Sequence, residues 1–194
     1  MVPASGGVAI DLTVNLDRRV QYGGAVPLQW TEDSGAILFP AADRGMRHVY
    51  AVAPTPGSVT KQITTGPRQI THFCASSSTL LCAMKNEHAP AELIHFSMPR
   101  SNNSESSTAT ELGALTAINA HVLAEVETAA AEQFNYTSWD GQTLEGWIMR
   151  PAGWTEGRSY PAILNVHGGP HGAKAWPAAD VIHLQSPHAP PGSQ

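Results

Sequence analysis

Apolar residues fall along the first hundred positions in short runs separated by polar turns. Trp30-Thr-Glu-Asp-Ser-Gly-Ala-Ile-Leu-Phe39 reads as strand, turn, strand, and Phe73-Cys-Ala-Ser-Ser-Ser-Thr-Leu-Leu-Cys82 reads the same way. Trp30 and Phe73, Ile37 and Leu80, and Tyr50 and Leu93 are each 43 residues apart. The pattern predicts strands near 25–30, 36–41, 47–53 and 59–64 in a first unit, and near 69–74, 79–84 and 91–97 in a second. Gly35, Gly45, Pro54, Pro56-Gly57 and Gly66-Pro67 punctuate them as turn residues. A repeat of roughly 40–45 residues holding several short strands is the mark of propeller blades. An ordinary β-sandwich is the other arrangement the pattern allows. Val8 to Leu16 reads as the last strand of an earlier blade. Two blades cannot close a ring, and open strand edges invite association with other chains.

The pattern then changes. Ser101-Asn-Asn-Ser-Glu-Ser-Ser-Thr108 is a polar linker. Leu115, Ile118, Val122 and Val126, spaced by three and four, predict a helix over 115–126. Phe134 to Met149 holds two alternating runs around Asp140-Gly141, a hairpin signal. Trp139-Asp140 is not read as a WD repeat, because no matching blade follows. Trp139, Trp147 and Trp154 read as packing residues rather than a ligand cage. Pro151 and Pro161 bracket a loop, and a strand over 161–167 leads into Gly168-Gly169.

Chemistry concentrates at that last turn. Tyr160-Pro-Ala-Ile-Leu-Asn-Val-His-Gly-Gly-Pro-His-Gly172 is an apolar strand ending in a glycine-rich loop. Successive glycines allow a close backbone approach, and Pro170 fixes φ without offering a donor. Such a loop can aim a peptide N–H at a developing oxyanion, as the HGGG-type loop of α/β-hydrolases does. The nucleophile of that fold sits on a G-x-S-x-G elbow, and none occurs in the 194 residues. His167 and His171 are four apart, but Gly-Gly-Pro between them forbids the helix that zinc ligation at this spacing would use. No residue is expected to bind a metal or a cofactor. His183 and His188 are rejected as catalytic bases, since no nucleophile is placed for them.

Composition narrows the class. Net charge is −5 and only 14% of residues are charged, which argues against nucleic acid and anionic membrane as partners. No apolar run approaches the roughly 20 residues of a membrane helix, and the amino terminus does not read as a leader. Cys74 and Cys82 read as free thiols, and the sequons at Asn102 and Asn135 as empty. A cytoplasmic protein is expected.

In this order the elements resemble the prolyl oligopeptidase family of serine peptidases, in particular its acylaminoacyl-peptidase and dipeptidyl-peptidase-like branch. Trp30-Thr-Glu-Asp-Ser-Gly35 and Ala42-Asp-Arg-Gly45 look like its propeller repeats, and Leu115-Thr-Ala-Ile-Asn119 like the segment leaving the propeller. Phe134 to Gly141 with Leu144 to Pro151 looks like the opening hairpin of the hydrolase domain, and Tyr160 to Gly172 like its oxyanion strand and loop. The resemblance implies a mixed, mainly β fold. A partial propeller of about two blades would span 1–112, and the N-terminal part of an α/β-hydrolase domain 113–194. It implies a peptidase acting on short or N-blocked peptides. The Gly169 N–H would be the oxyanion donor, held in a loop with His167, Gly168 and Pro170, while nucleophile, acid and base are absent from the chain. The chain would then be a truncated fragment, inactive alone. A non-catalytic propeller-type interaction module is the alternative. Residues 177–194 depart from the family, with four prolines in 18 residues, as a frame slip near 176 or a disordered tail would give.

Overall fold

The computed structural model describes residues 1–18, 20, 28–86, 89–99, 108–126, 129, 131–151 and 153–165. It is mainly β, with two four-stranded meanders joined in one open eight-stranded sheet and a separate two-stranded hairpin. The first meander comprises β1 (Gln29–Trp30), β2 (Ile37–Asp43), β3 (Met46–Val52) and β4 (Lys61–Gln62). The second comprises β5 (Gln69–Ala75), β6 (Thr79–Lys85), β7 (Glu92–Ser97) and β8 (Thr110–Ala114). Within each, neighbours run antiparallel, and a single parallel pairing, Arg47 with Gln69, joins β3 to β5.

The central strands match the expected ones closely. The outer elements do not. Residues 8–16 form no strand. Leu12, with Ile10, Leu16 and Val20, instead lays apolar side chains over Phe39, Ala41, Tyr50 and Val52. β4 covers two residues because Thr64 then turns inward, its hydroxyl accepting the Val49 N–H at 3.0 Å in place of a ladder bond. β8 has little apolar alternation and the sequence pattern missed it. The predicted helix shrinks to α1 (Ala120–Leu123), since Leu115 continues the ladder by donating its N–H to the Leu93 carbonyl at 2.7 Å. Leu115, Ile118 and Val122 are therefore exposed rather than packed.

Register refines the repeat. Ile37 lies opposite Val52, and Leu80 opposite Phe96; Leu38 lies opposite Ala51, and Leu81 opposite His95. Ile37 thus corresponds to Leu80, as the 43-residue offset requires. Tyr50 corresponds to Ile94 rather than Leu93, and Trp30, opposite Ile37, corresponds to Ala75 rather than Phe73. Connections of different length between the paired strands shift the offset on either side of β2 and β6.

Alternation sorts side chains to two faces. Leu38 and Val49 point from the first meander into a core with Ile63, Ile70, Phe73, Leu80, Cys82, Ile94 and Phe96 of the following segment. Arg68 lies over the Phe96 ring at 5.3 Å and donates to Glu111 of β8 at 2.7 Å, so a charged head caps this core while its stem packs. Between the repeats, Gln29 acts like a short strand: its carboxamide donates to the Ala75 carbonyl and accepts the Ala75 N–H at 2.9 Å. Pro40 is tolerated inside β2 for a geometric reason. Val49, opposite it, directs both its N–H and its C=O toward the β4 side, so Pro40 faces it across a non-bonded pair.

The hairpin of β9 (Ala131–Thr137) and β10 (Thr143–Met149) forms about the expected Asp140-Gly141 turn, where Asp140 accepts the Ser138 hydroxyl. Trp139 at its tip is 98% exposed and does not pack, contrary to expectation. Trp147 does, against the two-residue turn between β2 and β3. Arg44 (φ 48°) and Gly45 (φ 71°) both lie in the left-handed region there, as a type I′ hairpin turn requires. A Cβ on Gly45 would stand 2.9 Å from Cζ2 of Trp147. Gly45→Ala is expected to lower unfolding free energy by about 1–3 kcal/mol in urea titrations, and to raise the exposure of Trp147 seen by fluorescence.

Candidate functional site

The loop that carries the expected chemistry, His167-Gly168-Gly169-Pro170, lies outside the described residues, as do His171, His183 and His188. Its approach is described. Residues 161–165 form no strand, and Ile163 and Leu164 are more than four-fifths exposed. The apolar run was expected to be a strand over 161–167, of which 166 and 167 lie outside the described residues. Among the described residues no strand lies beside it, so its ladder and its burial are both missing.

What leads into that run is firmly built. Arg150, directly after β10, forms a bidentate pair with Glu132 on β9, Nε to Oε1 at 2.8 Å and Nη2 to Oε2 at 2.9 Å. The same guanidinium sits 4.2 Å from the centre of the Trp154 ring. The Arg150 hydrogen bonds first, and its charge after them, hold the Glu132 carboxyl below the usual carboxylate range. The Tyr160 hydroxyl accepts the Thr155 N–H at 3.0 Å and closes the loop. Arg150 and Glu132 thus fix the direction in which the chain leaves the hairpin.

A second carboxylate fixes the exit from the second meander. Glu92 opens β7 and accepts from the Thr116 hydroxyl, the Asn119 N–H at 3.2 Å and the Asn119 carboxamide at 3.4 Å. These donors, the Thr116 hydroxyl foremost, lower its pKa. Asn119 precedes α1 without a side-chain cap, and Glu92, from a neighbouring strand, accepts the N–H of Asn119 itself. Neither Glu92 nor Arg150 stood out in the sequence, because their hydrogen-bond partners Asn119 and Glu132 are 27 and 18 positions away and no short motif marks such a pair.

Other candidates have structural employment. His48 is buried beside Thr64, with Nδ1 3.3 Å from its hydroxyl. Burial first, then the Arg68 charge, lowers its pKa to about 4, so it is neutral at pH 7. Cys82 is buried and its thiol is pushed up to about 12, whereas Cys74 is exposed; neither is in a disulfide. Among the described residues no cluster of histidine, cysteine and carboxylate side chains could hold a metal. A cleft of about 470 Å³ opens between the meanders beside the 31–36 loop, with Asp33 and Lys61 on its walls. Asp33 is occupied with the Thr31 hydroxyl and the Gly35 N–H.

No protein-family model matches the chain. Curated relatives do. An uncharacterized peptidase, YuxL of Bacillus subtilis, is 28% identical over 144 residues, covering 73% of this chain and 20% of its own length. Dipeptidyl-peptidase 5 of Porphyromonas gingivalis is 25% identical over 143 residues, covering 74% and 19%. Among solved structures, Pyrococcus horikoshii acylaminoacyl peptidase shares the fold with a TM-score of 0.53 at 21% identity, over 72% of this chain and 19% of that one. The chain spans about a fifth of the length of the curated relatives it matches. The chain shares its β-rich fold with part of that structure, and the curated proteins it resembles in sequence are peptidases. The chain is related to the peptidases of the prolyl oligopeptidase family.

Two outcomes follow. Glu92→Ala removes the acceptor of the Asn119 N–H, and exchange of that amide should accelerate about tenfold in hydrogen-exchange measurements, with β5 and β6 unaffected. For His48 the folded-state pKa lies below the unfolded one, so the unfolded chain binds the extra proton. Stability is therefore full above about pH 6.5 and falls as the pH drops toward 4, by up to about 3 kcal/mol. Unfolding free energies at pH 7 and pH 4 should differ less in His48→Gln than in the unmodified chain, by roughly that amount.

Proposed function

We propose that the chain carries the close of a β-propeller and the opening of an α/β-hydrolase domain of a serine peptidase of the prolyl oligopeptidase family. In this reading 1–112 holds about two blades, whose last strand β8 runs on to Ala114, and 113–194 begins the hydrolase part. The observation that carries it is the order of the parts. Two repeats of one strand register are followed by an exit tied down by Glu92, and then by a hairpin clamped by Arg150 ahead of the Gly168-Gly169 loop. The same order accounts for the match to about a fifth of three peptidases.

Within that reading the Gly169 N–H donates to the oxyanion formed when a peptide carbonyl is attacked. His167, Gly168 and Pro170 shape the loop around it. The second donor and the nucleophile belong to a G-x-S-x-G elbow, which these 194 residues do not contain. A donor lowers the barrier to attack but supplies no attacker, so the chain by itself does not hydrolyse peptides. The substrates of the complete enzyme are short or N-blocked peptides, in keeping with the names of its relatives, and no cofactor is used. Free thiols favour a reducing compartment, the cytoplasm. A non-catalytic propeller-type interaction module is the second reading.

The purified chain should form no adduct with a fluorophosphonate probe, read by intact mass. A serine adduct overturns the assignment of inactivity. Electron density with the Gly169 N–H turned away from the carboxyl end of residues 161–165 overturns its role as donor.

A further inference from the structure

We infer that Asp140-Gly141 is a site of spontaneous backbone isomerisation, which the folded hairpin turn holds latent. The sequence has one Asp–Gly step, this one, and no Asn–Gly step. A glycine after aspartate leaves the backbone nitrogen unshielded, because no Cβ stands beside it. The reaction needs no partner but water. The Gly141 nitrogen attacks Cγ of the protonated Asp140 carboxyl and closes a five-membered imide, while the carboxyl hydroxyl leaves with the amide proton as water. A second water then opens the imide. Addition at Cγ restores Asp140. Addition at the Asp140 backbone carbonyl leaves the chain running through Cγ, one methylene longer.

The turn opposes both reactants of the first step. Oδ1 of Asp140 accepts the Ser138 hydroxyl and the Gln142 N–H at 3.2 Å, and Oδ2 accepts the Gln142 carboxamide at 3.1 Å. These donors, the Ser138 hydroxyl foremost and the Gln142 N–H next, hold the carboxyl below the usual range. It is therefore kept ionised, a form whose oxygen is a poor leaving group. The Gly141 N–H meanwhile donates to the Ser138 carbonyl at 3.0 Å. Gly141, at φ 84°, is the left-handed residue of the loop over 139–141, which the Ser138 N–H closes by donating to the Gln142 carbonyl at 2.8 Å. An added methylene breaks that closure and loosens the Thr137–Thr143 end of the ladder. The reaction thus starts when the hairpin opens, and its product hinders reclosing.

The unmodified chain tests this when incubated at neutral pH in buffer and in concentrated guanidinium chloride, then digested. Electron-transfer fragmentation reads the linkage at residue 140. Isoaspartate is expected there ahead of every other aspartate, and several-fold more slowly in buffer than in denaturant. Ser138→Ala removes the foremost donor, so it should speed the reaction several-fold in buffer and leave the rate in denaturant unchanged. Absence of isoaspartate at residue 140 in denaturant, equal rates in the two solvents, or an unchanged buffer rate in a natively folded Ser138→Ala chain overturns the inference. Should that variant lose its native circular dichroism, the two-solvent comparison of the unmodified chain decides alone.

Discussion

Leu38 and Val49 are sealed from water by the second meander, and that contact organises the molecule. Each strand offers apolar side chains to both faces, so a single meander of this sequence would leave one apolar face wet. Stacking the next meander buries Leu38 and Val49 against Leu80, Cys82, Ile94 and Phe96. The amino-terminal segment then covers Phe39, Tyr50 and Val52 on the other side. A one-residue slip in either hairpin would send every one of these side chains to the wrong face. The two-residue Arg44-Gly45 turn and the Gln29 carboxamide therefore matter beyond their size, because they fix where each strand begins.

Most of the sheet was legible because β2, β3, β5, β6 and β7 announce themselves through β-branched, aromatic and alternating residues between turn signals. β8 was not, since Thr110-Glu-Leu-Gly-Ala114 lacks alternation and pairs with β7 across an irregularity beside Gly113. The helix over 115–126 failed through competition. Leu115 and Thr116 find partners on β7 and Asn119 finds Glu92, and those long-range bonds outweigh a periodic apolar face with nothing to bury it. The 43-residue repeat was visible but misaligned at two of its three landmarks, because turns of unequal length sit between conserved strand registers.

The candidate site divides along the same line. Its glycine-rich loop is a local motif and could be read directly, whereas the groups that aim the chain toward it could not. Arg150 meets Glu132 across a hairpin, and Glu92 meets Asn119 across a strand and a turn. Each is a charged residue at an unremarkable position until the fold supplies its partner. The apolar run at 161–165 shows the converse case, a sequence composed for burial whose side chains stand in water.

The clip between the repeats rests on one primary amide. Gln29 can both give and receive at Ala75 only while its side chain keeps a nitrogen and an oxygen side by side. Hydrolysis of that amide to the acid leaves an oxygen pointed at the Ala75 carbonyl, and attraction becomes repulsion. Slow chemical ageing at a single side chain would thus prise the two meanders apart at one end, with no bond in the backbone broken.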